Sequence, residues 1–141
     1  MIKRFDHVGL AVKDLKKAVK FFEEAFGAKI VWQAEYEDQG IESVCVAVGE
    51  ARFELTGSTG PGSVIARFLE ARGEGIHHVS LQVDDFDKVL GDLRAKGLKV
   101  IGETDAKDFK AAFVHPSSAC GVLTEIVEPK PDGIMTGGGK H

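Results

Sequence analysis

Cysteine is scarce in this chain: two of 141 residues, Cys45 and Cys120, with no C-x-x-C spacing. Both residues read as buried thiols in a reducing cytosol, with a disulfide between them as the minor reading. Long apolar runs are missing too. None approaches the roughly 18 residues a bilayer-spanning helix needs, so no membrane partner is expected. Basic charge has no excess, since the net charge is −4. Without a basic face, nucleic acid is not an expected partner either. The opening residues, Met1-Ile2-Lys3-Arg4-Phe5-Asp6, are charged and run straight into a strand pattern, which is not how a signal peptide begins. The composition, 43% hydrophobic and 28% charged, is that of a soluble globular protein, long enough for one cored domain or two small fused halves, and the acidic balance, few cysteines and lack of a targeting pattern lead us to expect a cytoplasmic one.

Against that plain background one stretch repeats. Phe5-Asp6-His7-Val8-Gly9-Leu10-Ala11-Val12-Lys13-Asp14 lays over Ile76-His77-His78-Val79-Ser80-Leu81-Gln82-Val83-Asp84-Asp85. The two copies lie 71 residues apart, so His7 falls on His78 and Asp14 on Asp85. The same offset lays Phe53-Glu54-Leu55 over Thr124-Glu125-Ile126. Each half therefore carries a His and, 47 residues later, a Glu. A repeat of this kind sets the architecture.

The order of elements follows from periodicity. Residues 5–12 alternate, with Val8, Leu10 and Val12 on one side and His7, Gly9 and Ala11 on the other, which predicts a half-buried strand. Asp14 is an N-cap, and Leu15, Ala18, Val19, Phe22 and Phe26 recur at helical spacing up to a stop at Gly27. Strands are predicted over Lys29–Gln33, Ser43–Val48 and Ala51–Thr56, with Asp38-Gln39-Gly40 and Gly49-Glu50 as turns. The breaker cluster 57–63 marks a junction, and Ser63 caps a helix over Val64–Arg72. The second half then repeats the programme. It has a strand His77–Val83, a helix capped by Asp85 with Phe86, Val89, Leu90 and Leu93 inward, and strands Leu98–Gly102, Lys110–His115 and Gly121–Val127. The Pro/Gly-rich residues 129–141 read as a disordered tail. The expected fold class is α+β: two tandem βαβββ modules forming an open eight-stranded cleft. The expected domain is 1–128, divided as 1–57, a junction with its helix over 58–74, and 75–128.

His7, Glu54, His78 and Glu125 make two imidazoles and two carboxylates, on the first and last strands of each half. If a pseudo-twofold relates the halves, the four converge. An N2O2 set of this kind suits a divalent ion such as Co²⁺, Mn²⁺, Ni²⁺, Zn²⁺ or Fe²⁺. Four ligands leave coordination positions open for substrate, as a catalytic rather than a structural ion needs. The plainer alternative is a set of strand residues that are merely solvated or hydrogen-bonded. The matched spacing of the two pairs adds weight to the metal, and on the residues alone both readings stand. His77 has the opposite parity from His78 and reads as packing behind the site. His115 reads as a strand-end residue, and Asp84-Asp85 as a helix cap.

These motifs resemble the vicinal-oxygen-chelate (glyoxalase/bleomycin-resistance) superfamily, and within it the methylmalonyl-CoA epimerases. The resemblance rests on residues 6–12, Glu37-Asp38-Gln39-Gly40-Ile41, Phe53-Glu54-Leu55, Ile65–Leu69, Gly73–Val79, His115-Pro116-Ser117-Ser118 and Gly121–Glu125, spread over residues 5 to 128. It implies His7, Glu54, His78 and Glu125 as metal ligands, Glu125 also as a catalytic base, and an acyl-CoA as substrate. It further implies epimerisation at C2 of methylmalonyl-CoA by proton abstraction, and a homodimer. Some members place a glutamate where this chain has Ser43, so the second proton-transfer group is not identified by the resemblance. Thr104–Phe109 replaces a Gly-rich loop, and Ser117 replaces a Lys. The competing readings are another metal enzyme of the superfamily, a glyoxalase-like lyase or a dioxygenase, and a non-enzymatic small-molecule binder.

Overall fold

The computed structural model describes residues 1–131. Most of the segment expected to be a disordered tail lies outside them. Eight strands and three α-helices occur among the described residues, in the order βαβββ, α, βαβββ. The strands are β1 (Ile2–Ala11), β2 (Lys29–Tyr36), β3 (Ile41–Val48), β4 (Ala51–Ser58), β5 (Gly75–Val83), β6 (Val100–Asp105), β7 (Phe109–Val114) and β8 (Thr124–Pro129). The helices are α1 (Leu15–Phe26), α2 (Val64–Arg72) and α3 (Phe86–Ala95). The chain folds as two compact units. One is His7–His77; the other joins Met1–Asp6 to the described residues from His78 on, 78–131.

In the first unit the strands lie in the order β2-β3-β4-β1. The β2·β3 and β3·β4 pairs are antiparallel, and β1 runs parallel to β4, with Gly9 opposite Glu54. The alternation of β4 sends Phe53 and Leu55 one way and Glu54 and Thr56 the other. α1 covers the apolar side: Leu15, Ala18, Val19 and Phe22 pack on Val44, Val46 and Leu55, with Leu10 and Phe53 beside them. Asp14 caps α1 by accepting the Lys17 N–H at 3.1 Å. Gly27 closes it at φ 67°, a left-handed geometry that disfavours residues with a Cβ. Phe26 differs from expectation. It is exposed, and its ring meets those of Phe21 and Phe22 edge-on.

The second unit repeats the plan with its own core. Its strands lie in the order β5-β8-β7-β6, with β5 parallel to β8 and the other pairs antiparallel. Phe86, Val89 and Leu90 of α3 are buried against Val83, Ala112, Val114 and Ile126. α3 has two N-terminal partners: Asp85 accepts the Lys88 N–H, and Glu128 of β8 accepts the Phe86 N–H at 2.9 Å.

Other expectations shift as well. β8 starts at Thr124 rather than Gly121, because Cys120 (φ 57°) and Gly121 (φ 87°) turn the chain. That turn leaves Cys120 exposed, while Cys45 is buried as expected. β6 runs on to Asp105, where Lys130 Nζ meets the Asp105 carboxylate at 2.6 Å, so the segment expected to be a loop supplies a strand end.

Candidate functional site

The face of each sheet turned away from its helix carries the polar residues. In the first unit these include His7 on β1, Ser43 and Cys45 on β3, and Glu54 and Thr56 on β4. His7 is only 1% exposed, and its Nε2 lies 3.6 Å from Glu54 Oε1. The parallel β1·β4 register sets Gly9 opposite Glu54, so the carboxylate and the imidazole two residues back share a face. In the second unit His78 Nε2 lies 3.9 Å from Glu125 Oε1. Here the register places Ser80 opposite Glu125, so the second half repeats the first with Ser in place of Gly.

The donor chemistry fits a divalent cation. Two ligands each about 2.1 Å from one ion stand roughly 3.0–3.5 Å apart, and both pairs come within a few tenths of an ångström of that. Each pair also joins a borderline nitrogen donor to a hard anionic oxygen, the mixture such ions take. Phe113, opposite Glu125 on β7, turns its ring perpendicular to the His78 imidazole at 5.8 Å between centroids. An aromatic wall of this kind fixes the imidazole's tilt and lowers the local dielectric.

The remaining titratable residues sort by element. His77 has the other parity. Its ring meets Phe68 of α2 edge-on at 5.1 Å, and Arg72 stacks over the same Phe68. Burial, and secondly the Arg72 charge, hold the His77 pKa below the ordinary histidine value. His115 Nδ1 accepts the Ser117 N–H at 3.0 Å at the end of β7. Asp84 takes the N-terminal ammonium at 3.0 Å, which lowers its pKa.

Residues 4–126 match the Glyoxalase/Bleomycin resistance protein/Dioxygenase superfamily. The chain belongs to that superfamily. Among its superfamily relatives is the mitochondrial methylmalonyl-CoA epimerase of Bos taurus, 34% identical over 87% of this chain and 73% of the relative. The crystal structure of methylmalonyl-CoA epimerase from Mycobacterium tuberculosis superposes with a TM-score of 0.85 at 35% identity, covering 92% of this chain and 90% of that one. A variant of the Streptomyces coelicolor methylmalonyl-CoA epimerase, in complex with 2-nitronate-propionyl-CoA, superposes with a TM-score of 0.83 at 28% identity, covering 91% and 98%. In sequence and in fold alike, then, this superfamily member's relatives include epimerases of an acyl-CoA. No helix of the described residues is long and apolar enough to cross a membrane.

Three site features escape the sequence. The Phe113 wall and the Ser80–Glu125 adjacency depend on register, which no alternation pattern fixes. The third is a buried bond between Ser43 and Thr56, 2.8 Å between hydroxyl oxygens. Thr56 alone was reachable by counting two residues on from Glu54 along the same face.

Proposed function

We propose that this protein is a metal-dependent methylmalonyl-CoA epimerase acting in the cytosol as a homodimer. The carrying observation is the duplicated His–Glu pair, at 3.6 Å in one half and 3.9 Å in the other. The epimerase relatives give that pair its substrate class. In this reading His7, Glu54, His78 and Glu125 hold one divalent ion between them. When bound, the ion supplies Lewis-acid stabilisation of the negative charge that develops as the C2 proton leaves.

The chain's own residues carry the first half of the proton exchange. Glu125 removes the C2 proton of the thioester, as a carboxylate held within reach of an acidified carbon can. His78, tilted by Phe113, holds its place beside that carboxylate. On the corresponding face of the first unit, Ser43 and Thr56 add two buried hydroxyls beside His7 and Glu54. An intact set of two imidazoles and two carboxylates favours an enzyme over a metal-free binder. It also exceeds the two His and one carboxylate that an iron dioxygenase needs.

The test is solvent-deuterium exchange into methylmalonyl-CoA by the metal-loaded protein. Exchange at C2 with racemisation is expected; no exchange from a fully loaded protein removes the reading. His78→Ala is expected to lose bound metal and exchange together, and turnover retained in that variant would show the ligand set to be wrong.

A further inference from the structure

Two buried hydroxyls in the first unit hold one proton more than they use. Ser43 of β3 and Thr56 of β4 are directly opposed in the antiparallel ladder. They are 2% and 5% exposed, and their oxygens lie 2.8 Å apart. Each hydroxyl carries one proton, and the bond between them consumes one of the two. Neither hydroxyl has another partner among the described residues. A buried O–H without an acceptor is costly, so such a proton marks a place where an acceptor belongs.

Strand geometry says where that acceptor must come from. Thr56 lies two residues from Glu54 on the same strand, so the two share a face at about 7 Å. The opposite face is closed by Leu55, Val44 and α1. The spare proton is therefore on the same side as the His7–Glu54 pair, one side-chain step along. On the side away from Glu54 the flanking residues of that face carry no charge: Ala34 lies opposite Ser43, and the next pair along is Ile41 and Ser58.

We infer that the Ser43–Thr56 pair is the hydrogen-bond donor for the carboxylate of the bound acyl-CoA, and so selects a malonyl-type thioester over a simple acyl thioester. The inference takes the substrate class from the epimerase reading. An anionic oxygen is the strongest acceptor available to a lone hydroxyl proton. A neutral donor pair also adds no negative charge to repel the single carboxylate of the acyl group. The pair binds and orients; it removes no proton.

The deciding experiment compares the metal-loaded protein with Ser43→Ala/Thr56→Val and with Thr56→Ser, measuring metal content and the Kd of methylmalonyl-CoA and of propionyl-CoA by calorimetry. The double variant removes both partners of one bond with near-isosteric groups, which leaves folding close to neutral. It is expected to keep its metal, to weaken methylmalonyl-CoA by about 10- to 100-fold, as befits loss of a hydrogen bond to a charged group, and to leave propionyl-CoA within about twofold. Thr56→Ser, which keeps both hydroxyls, is expected to bind like the wild type. Equal loss for both thioesters, or no loss for either, overturns the inference. If the wild type binds methylmalonyl-CoA more tightly yet exchanges no deuterium, the epimerase reading fails while the affinity comparison still decides the donor.

Discussion

Glu125 is assigned two duties, ligand and base, and they separate by substitution. Glu125→Gln keeps an oxygen donor of the same reach but cannot accept a proton. Metal content is expected to fall only in part, while deuterium exchange falls by about 100- to 10,000-fold, the usual contribution of a general base. Plasma emission spectrometry beside the exchange assay checks it, and exchange within tenfold of wild type would move the base elsewhere. Ser80 makes a different residue-scale prediction. Its hydroxyl is fully buried and has no hydrogen-bond partner among the described residues. An unsatisfied buried polar group costs about 1–3 kcal/mol. Ser80→Ala in the metal-free protein is therefore expected to be more stable than wild type by about 1 kcal/mol in urea melts. A destabilised variant would show that the hydroxyl is satisfied after all. The sequence exposed His7, Glu54, His78 and Glu125 because a fixed offset of 71 survives without any knowledge of pairing. It did not expose Ser43–Thr56 or Phe113, which meet their partners only once a register is chosen.

Both repeat helices begin on an aspartate, and the structure ranks the two caps. Asp14 accepts the Lys17 N–H at 3.1 Å, whereas Asp85 reaches the Lys88 N–H only at 3.4 Å. The shortfall at α3 is met from outside the helix by Glu128, bonded at 2.9 Å to the Phe86 N–H. Asp14→Ala is expected to cost about 1 kcal/mol, near the middle of the range for lost caps, and Asp85→Ala about half of that. Glu128→Ala is expected to exceed Asp85→Ala, since it removes a charge-assisted bond at the first turn. Denaturant midpoints of the three variants give the order directly, and a Glu128→Ala cost below that of Asp85→Ala would break it. Cap and stop residues were legible because their chemistry is local. The strand ends were not, since β8 begins where Cys120 and Gly121 finish turning the chain, and that turn belongs to tertiary structure.

Each half folds around its own apolar cluster, Leu55 and Val46 in one and Leu90 and Phe86 in the other. Each also supplies one imidazole and one carboxylate. On the proposed reading neither pair is a complete site, so a single ion is the common possession of both halves. Two consequences follow that a pair of independent half-sites would not produce. The loaded protein should hold one ion per chain rather than two. Its stabilisation by metal should also vanish on loss of either imidazole, instead of being halved. An ion at one hundred times its Kd adds about 2.7 kcal/mol to a folded protein, or roughly 10 °C for a domain of this size. Wild-type protein is expected to show that rise between chelator and added Co²⁺ or Mn²⁺, and His7→Ala and His78→Ala are each expected to show almost none. Differential scanning calorimetry at fixed protein concentration reads all three. A rise that persists at half size in either variant, with two ions per chain in the wild type, would mean that each half binds alone, and the shared centre on which the catalytic reading rests would be lost.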